Sequence, residues 1–232
     1  MRLKTVTNNY FIRPVGSRIN RYLLKPFGYS IVSTRTMPYV GRRSIRRARK
    51  LQEKLASQNQ PIQLELGTSK PRTNWITVDL QEGADLIFDL IRPLPFPDSA
   101  VDKIYSSHLL EHFHYPDIIA LLNECYRVLK NGGSFSVCVP DAAIYVNAYC
   151  SREEFDAKTF CVYEPAFHYY SKIDLVNYIA YMGGHHKHMW DRENLVGVLR
   201  SIGFQRVTLR DFDPELDLKE RAYESIYALA IK

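Results

Sequence analysis

The sequence lacks the features that mark secreted, zinc-binding and membrane-spanning proteins. Its four cysteines form no Cys-x-x-C pair and show no zinc-finger spacing, no secretory signal opens the chain, and no apolar run reaches 18 residues. We therefore expect a cytoplasmic protein that folds without disulfides. With 232 residues, of which 46% are hydrophobic, the chain is long enough for one domain of ordinary core size plus an added arm.

Acidic residues are missing from the first part of the chain. Residues 1–52 contain 13 Lys and Arg but no Asp or Glu, whereas the remaining residues contain 18 basic and 25 acidic side chains, which gives them a net charge of −7. Such an arm is attracted to anionic partners. A membrane surface and a phosphorylated carrier fit this expectation best, and nucleic acid fits it less well.

A basic amphipathic helix is predicted at the end of this arm. From Arg42 to Ala56, basic residues surround apolar residues that recur at helical spacing, which are Ile45, Ala48, Leu51 and Leu55. Three interpretations remain open: the solvated face of a helix that packs against the domain, attachment to a membrane surface, and contact with RNA. We predict that residues 1–60 form the arm and helix and that residues 61–232 form the main domain.

Four short apolar runs in the main domain each end in an acidic or polar residue. They are Ile62–Gly67, Trp75–Asp79, Asp85–Asp89 and Val101–His108, and a helical pattern over Pro116–Lys130 leads to a fifth run at Ser134–Val139. Buried strands alternating with helical patterns predict a mostly parallel sheet with helices on both faces. Ligands of such sheets bind outside the carboxyl ends of the strands, so the polar residues should meet at one edge.

The last part of the chain is predicted to add a lid and two strands. Residues 142–190 are rich in aromatic side chains and read as an irregular insertion or lid. Core packing of these aromatic residues and stacking on a flat acceptor both remain open. A helix over Asp191–Ile202 then precedes strands at Phe204–Arg210 and Ser225–Ile231.

The order and spacing of the polar motifs resemble class I S-adenosylmethionine-dependent methyltransferases. The resemblance rests on Glu65-Leu66-Gly67, on Asp79, and on three further segments, Leu94–Asp98, Ser106–His112 and Arg127–Gly133. The compact, methyltransferase type 11-like branch of this family reads Gly-Trp-Ile-Asn-Val-Asp where this chain has Asn74–Asp79. The resemblance implies a Rossmann-like α/β sandwich with a mostly parallel seven-strand sheet and a shortened first crossover.

The resemblance also implies S-adenosylmethionine as the cofactor. It assigns Glu65 to the methionine ammonium, Gly67 to close backbone approach and Asp79 to the ribose hydroxyls. Asp89 would lie beside the adenine, and the remaining residues expected to line the pocket are Ser69, Ser106 and His108. Ser69 stands where family members usually have a second glycine, and only 11 residues separate Gly67 from Asp79, too few for a full crossover helix with its loops.

Histidines are the candidate catalytic residues. All seven fall into two groups, one after the fourth run and one in the aromatic insertion, and from these we select His112, His186 and His188 as candidates to position an acceptor and remove its proton. The segment Gly183–Trp190 contains a His-x-His pattern that could suit a metal. No metal site is predicted, because no nearby Cys or carboxylate pattern completes it.

The predicted function is methyl transfer from S-adenosylmethionine to a small-molecule or sugar acceptor at oxygen. One alternative is an RNA methyltransferase that grips phosphates with the basic arm. Another is a non-catalytic binding or scaffold subunit that keeps the methyltransferase fold, which Ser69 favours. A cytoplasmic location is expected, with peripheral attachment to a membrane as the alternative, and the oligomeric state is left open.

Overall fold

The computed structural model describes residues 36–232, so most of the predicted basic arm lies outside the described residues. The chain divides into two compact units, and the boundary lies between Arg43 and Ser44. Every contact given below lies within the second unit, Ser44–Lys232. The helices described are α1 (Thr36–Ser57), α2 (Tyr115–Val128), α3 (Ala142–Cys150), α4 (Ala157–Phe160), α5 (Ile173–Tyr181) and α6 (Arg192–Ile202). The strands are β1 (Gln63–Leu66), β2 (Ile76–Asp79), β3 (Leu86–Ile87), β4 (Val101–Ser107), β5 (Leu129–Pro140), β6 (Arg206–Arg210) and β7 (Ser225–Ile231).

The strands form a seven-stranded sheet in the order β3-β2-β1-β4-β5-β7-β6. Strands β1 to β5 are parallel, and β7 lies antiparallel between β5 and β6. This arrangement confirms the predicted Rossmann-like class, a mostly parallel seven-strand sheet with a shortened first crossover. The carboxyl ends of β1 to β5 therefore share one edge of the sheet.

One face of the sheet carries the main hydrophobic core. The strand register aligns alternate apolar residues across the sheet, and helices α1, α2 and α6 cover them with Ala48, Leu122 and Leu195 among others. The opposite face carries Glu65, Thr77, Tyr105 and Ser136, which the register also aligns. Because side chains alternate along a strand, the apolar set specifies which face is buried under the helices.

Helix α1 packs through its small and aliphatic residues and exposes its basic ones. Ala48 is fully buried, Leu51 and Leu55 pack against the core, and the Ser44 hydroxyl donates a hydrogen bond to the Ile87 carbonyl. The prediction that Ile45 belongs to the apolar side is wrong, because its side chain is exposed. The exposed basic residues of the described part are Arg46, Arg47, Arg49 and Lys50, which form the solvated face of a packed helix.

The aromatic insertion is more regular than predicted, because α3, α4 and α5 lie within residues 142–190. Helices α3 and α5 build a second hydrophobic cluster around Tyr145 and Tyr178. The Tyr145 hydroxyl donates to the Glu224 carboxylate at 2.7 Å and so ties this cluster to the end of the chain. Core packing is therefore the role of the buried aromatic residues, while Tyr170 and Tyr181 remain exposed.

Among residues 36–232, none of the helices has the length and apolar character needed to cross a membrane.

Candidate active site

The strand order reverses between β1 and β4. At such a switch point, ligands of parallel sheets bind in the crevice outside the carboxyl ends of the strands. Gly67 follows β1 at this point with φ +82°, and its N–H donates to the Val78 carbonyl at 2.9 Å. A Cβ atom on Gly67 would lie 2.7 Å from Leu109 Cδ1, on the loop after β4. A side chain at this position would be strained by the positive φ and would have to displace the Leu109 side chain.

Glu65 at the end of β1 already has a cationic partner. Its carboxylate lies 3.4 Å from Arg72 Nη1, and the guanidinium stacks on the rings of Trp75 and Tyr105. Burial raises the pKa of the Glu65 carboxyl, and the charge of Arg72 opposes that rise. Arg72 also donates to the Leu216 carbonyl at 3.0 Å, so it joins the first crossover to the C-terminal part of the chain.

The ends of β2 and β3 present two further carboxylates. Asp79 is partly exposed, and one of its oxygens accepts the Gln81 N–H at 2.8 Å. Asp89 accepts the Ile91 N–H at 3.3 Å and lies 3.9 Å from the Arg92 Nε. Each carboxylate uses one oxygen to stabilise its own turn, which leaves acceptor capacity for a ligand.

Ser69 lies in the loop that replaces a crossover helix. A Cβ atom on Gly83, which has φ +110°, would lie only 2.9 Å from the Ser69 carbonyl oxygen, so the loops after β1 and β2 touch each other. Ser69 itself does not have a positive φ, so the absence of a second glycine imposes no backbone strain at this position.

The end of β4 places Ser106 and His108 beside the switch point. Ser106 is fully buried, and its hydroxyl has no hydrogen-bond partner. His108 has φ +48°, and its Nε2 lies 2.8 Å from the Ser225 hydroxyl. Burial lowers the pKa of His108 to about 3, so the ring is neutral at physiological pH.

Glu111, His112 and His186 meet just beyond β4, and we call them the acid–histidine cluster. One potential ligand atom from each residue lies within 4.8 Å of those from the other two, and the rings of His112 and His186 are 5.2 Å apart in an edge-to-face arrangement. The Lys187 N–H donates to the Glu111 carbonyl at 2.7 Å, which holds the segment containing His186 against the turn containing Glu111. His112 is the most exposed of the three, with 42% of its side chain accessible.

The three groups of this cluster are uncharged near neutral pH. Burial raises the pKa of Glu111 to about 8 and lowers that of His186 to about 4, and it also lowers the pKa of His112. The 3.7 Å approach of His112 Nε2 to the Glu111 carboxyl is therefore a contact between neutral groups, not an ion pair. Both imidazoles are in the form that can accept a proton or bind a metal.

His188 does not join the cluster. Its ring stacks on Tyr115 at 5.6 Å and meets Trp190 edge-to-face at 4.5 Å, and its Nε2 lies 3.4 Å from the Asn194 amide oxygen. The structure thus brings together two of the three predicted catalytic histidines, His112 and His186, and gives the third a packing role beside them.

Comparison with known proteins agrees with this geometry. Residues 71–137, which run from the first crossover into β5, match a family described as a methyltransferase domain. A probable S-adenosylmethionine-dependent methyltransferase from Mycolicibacterium smegmatis is 33% identical over 70 residues, which cover 30% of this chain and 24% of that protein. Both matches cover less than a third of the chain, and over that part it is similar to S-adenosylmethionine-dependent methyltransferases. It spans about a quarter of the length of the curated relative that it matches.

Several solved structures of methyltransferases resemble this chain. One from Archaeoglobus fulgidus is 16% identical, with a TM-score of 0.46 over 79% of this chain and 94% of that one. Another, from Mesorhizobium loti, is 18% identical, with a TM-score of 0.45 over 74% and 90% of the two chains.

The residues at the carboxyl edge of the sheet suit S-adenosylmethionine in chemistry. Carboxylates at the ends of adjacent strands can accept hydrogen bonds from an ammonium and from vicinal hydroxyls, and Glu65 and Asp79 occupy those ends. Gly67 follows β1 with φ +82° and no side chain, and the buried Ser106 hydroxyl at the end of β4 lacks a hydrogen-bond partner. The pairing of Glu65 with Arg72 is the one feature that opposes binding of an ammonium at β1.

Sequence reasoning missed Arg72, and it did not identify Glu111 as the centre of a cluster. Arg72 lies in a loop between β1 and β2 that carries no periodic pattern, so nothing in the sequence relates it to Glu65 or Tyr105. Glu111 is next to His112 in the sequence, but its burial and its contact with His186 arise only when the insertion folds back over β4. An acid flanked by histidines after a buried strand was the available signal.

Proposed function

We propose that this protein transfers a methyl group from S-adenosylmethionine to an oxygen atom of a small-molecule or sugar acceptor. The observation that carries the proposal is the convergence of Gly67, Asp79 and the acid–histidine cluster on the carboxyl edge of one parallel sheet. When bound, S-adenosylmethionine supplies an electrophilic methyl group on a sulfonium.

The protein's own residues bind and orient the donor. Asp79 accepts hydrogen bonds from the ribose hydroxyls with the oxygen that Gln81 does not use. The backbone at Gly67 lies against the ligand, because glycine has no side chain. Glu65 contributes to binding of the amino-acid part after sharing or releasing Arg72. Asp89 and the pair Ser106 and His108 complete the pocket, on the adenine side and at the β4 end respectively.

Proton removal from the acceptor is the task of the histidine pair. His112 Nδ1 contacts the His185 carbonyl at 3.1 Å and His186 Nδ1 contacts the Ile179 carbonyl at 2.8 Å. A carbonyl can only accept, so both Nδ1 atoms carry the hydrogen and both Nε2 atoms keep a lone pair. His112 is the more accessible, so we assign it first contact with the acceptor hydroxyl, with His186 as its positioning partner.

A small acceptor is favoured over a polynucleotide by the surface around the cluster. Among the described residues, Tyr181 is the exposed aromatic residue nearest in sequence to His186, whereas the exposed basic residues of α1 lie at the start of the unit Ser44–Lys232. Nucleic-acid channels instead interleave aromatic and basic residues along one groove. Exposed tyrosines beside a histidine pair suit a sugar or another ring-shaped acceptor.

An acceptor screen tests the proposal. Purified protein is incubated with methyl-labelled S-adenosylmethionine and, separately, with a panel of sugars and phenols or with total RNA. We expect label in a hydroxyl compound and a loss of at least about 100-fold in rate for His112→Ala. The matched control His168→Ala, in an exposed part of the insertion, should retain the rate. Label in RNA alone would support the RNA methyltransferase, and donor binding without transfer to any acceptor would support the scaffold.

A further inference from the structure

We propose that Glu111, His112 and His186 bind a divalent transition-metal ion through one carboxylate oxygen and two imidazole Nε2 atoms. Neither the family match nor the relatives assign a metal to this position. The inference is independent of the proposed function as far as binding is concerned, since it rests on the geometry of the three side chains.

The spacing of the three residues suits a single ion. Two ligand atoms bound at about 2.1 Å in tetrahedral geometry lie about 3.4 Å apart. Glu111 Oε1 and His112 Nε2 are 3.7 Å apart, and the potential ligand atoms of all three residues lie within 4.8 Å of one another. Side-chain movements of about 1 Å would close the cluster around an ion.

The hydrogen bonds behind the histidines orient them as ligands. Metal-binding histidines usually donate their other ring N–H to a carbonyl or carboxylate, which fixes the ring and its tautomer. His112 does so to the His185 carbonyl, and His186 does so to the Ile179 carbonyl. Both Nε2 lone pairs are therefore available to the cluster.

The burial of Glu111 without hydrogen-bond partners is independent support for an ion at this cluster. Its side chain is 1% exposed, and neither carboxyl oxygen has a hydrogen-bond partner. An unsatisfied buried polar group costs on the order of 1–3 kcal/mol. Binding of a cation would release the Glu111 proton and leave its carboxylate as a ligand. A bound cation would satisfy this carboxylate and both imidazoles at once, whereas no described protein group does so.

Two nitrogens and one oxygen favour a transition-metal ion over Mg²⁺, which prefers oxygen ligands and retains several waters. Three protein ligands leave a coordination position free, as in catalytic rather than structural sites. His112 is the exposed member of the three, so solvent and small molecules reach the cluster on its side. If the proposed function holds, the ion would bind the acceptor hydroxyl and make it more acidic, and the proton would pass to solvent, because the ion occupies the Nε2 lone pairs of both imidazoles.

Calorimetric titration tests the site directly. The full chain, without a polyhistidine tag, is treated with EDTA, desalted and titrated with Zn²⁺ or Mg²⁺ in the absence of methyl donor. We expect one Zn²⁺ per chain, no Mg²⁺ binding, and at least a tenfold loss of Zn²⁺ affinity in Glu111→Gln and His186→Ala. His168→Ala, a histidine in an exposed part of the insertion, should bind like the wild type.

The outcomes separate the metal site from the methyltransferase activity, because the titration uses no donor. Absence of Zn²⁺ binding, or equal affinity in Glu111→Gln, His186→Ala and the wild type, would overturn the proposal. Should the variants fail to fold, as judged by circular dichroism, the absorption spectrum of the wild type with Co²⁺ decides. A spectrum of a four-coordinate ion with nitrogen ligands supports the site, and a six-coordinate or unchanged spectrum contradicts it.

Discussion

Gly67 carries the tightest steric constraint at the carboxyl edge of the sheet. Its φ of +82° is disfavoured for any residue with a side chain, and an added Cβ would lie 2.7 Å from Leu109 Cδ1. We expect Gly67→Ala to lower the free energy of unfolding by about 1–3 kcal/mol, measured by urea denaturation. The Leu109 side chain would also have to move.

Gly197 provides the matched control for that prediction. It lies exposed within α6, and a Cβ there would meet nothing within 4 Å. Gly197→Ala should therefore stabilise the protein by about 0.5–1 kcal/mol. Equal effects of the two substitutions would contradict the account of Gly67.

At the scale of elements, Arg127 explains why two of the sequence motifs occur together. It ends α2, and its guanidinium donates to the Leu94 and Phe96 carbonyls, at 3.1 and 3.0 Å, and to the carboxylates of Asp98 and Glu124, both at 2.7 Å. The segment before β4 is thereby fastened to the helix after it. These bonds hold the pKa of Glu124 below its ordinary value of 4.5.

We predict that Arg127→Ala lowers the free energy of unfolding by about 2–3 kcal/mol at pH 7. The substitution removes the donor to the Leu94 and Phe96 carbonyls and the cationic partner of two carboxylates, of which Glu124 keeps only the Leu94 N–H. Arg127→Lys should regain little of the lost stability, since a lysine ammonium cannot reproduce the planar, multidentate hydrogen bonding of the guanidinium. A depressed carboxyl pKa contributes stability above its unfolded value and loses it as the pH falls through the folded value. The difference in free energy of unfolding between the wild type and Arg127→Ala should therefore become smaller below pH 4.5. A difference that grows below this pH would contradict the role of Arg127.

A second link between elements lies on the polar face of the sheet. The buried Asp217 carboxylate accepts from the Tyr105 hydroxyl at 3.0 Å and from Arg210 Nη2 at 2.8 Å, so it connects β4, β6 and the segment between β6 and β7. Asp217→Ala should lower the free energy of unfolding by about 3–5 kcal/mol, because it leaves the largely buried Arg210 guanidinium without its carboxylate partner. Thermal unfolding measures this loss, with the exposed Asp211→Ala as the control. A melting temperature equal to that of the control would exclude this role for Asp217.

For the molecule as a whole, the sheet and the position of its carboxyl edge could be predicted from the sequence. The alternation of apolar strands with helical patterns implied parallel strands, and parallel strands bring their carboxyl ends to one edge. The predicted strand Ser225–Ile231 coincides with β7, and the helix predicted over Asp191–Ile202 differs from α6 only in that Asp191 is its N-cap. Local sequence patterns suffice for such elements, because the spacing of apolar residues along a strand or helix shows which of its sides is buried.

Contacts between distant segments could not be predicted in this way. The meeting of Glu111 with His186 depends on how the insertion folds over the sheet, and the pairing of Glu65 with Arg72 depends on an irregular loop. The insertion was expected to be irregular because its aromatic residues have no single period, yet they pack into a core of their own around Tyr145. Long-range packing, not local propensity, decides these features.

The central claim is that the carboxyl edge binds S-adenosylmethionine, and the melting temperature measured with S-adenosylhomocysteine tests it most directly. A ligand at ~100 times its dissociation constant stabilises the folded state by roughly 2.7 kcal/mol, so we predict a clear rise for the wild type and for the exposed control Glu82→Ala. Asp79→Ala should show no rise, because it removes the carboxylate that accepts the ribose hydroxyls. No rise for the wild type at millimolar ligand, or an equal rise in Asp79→Ala, would contradict the account.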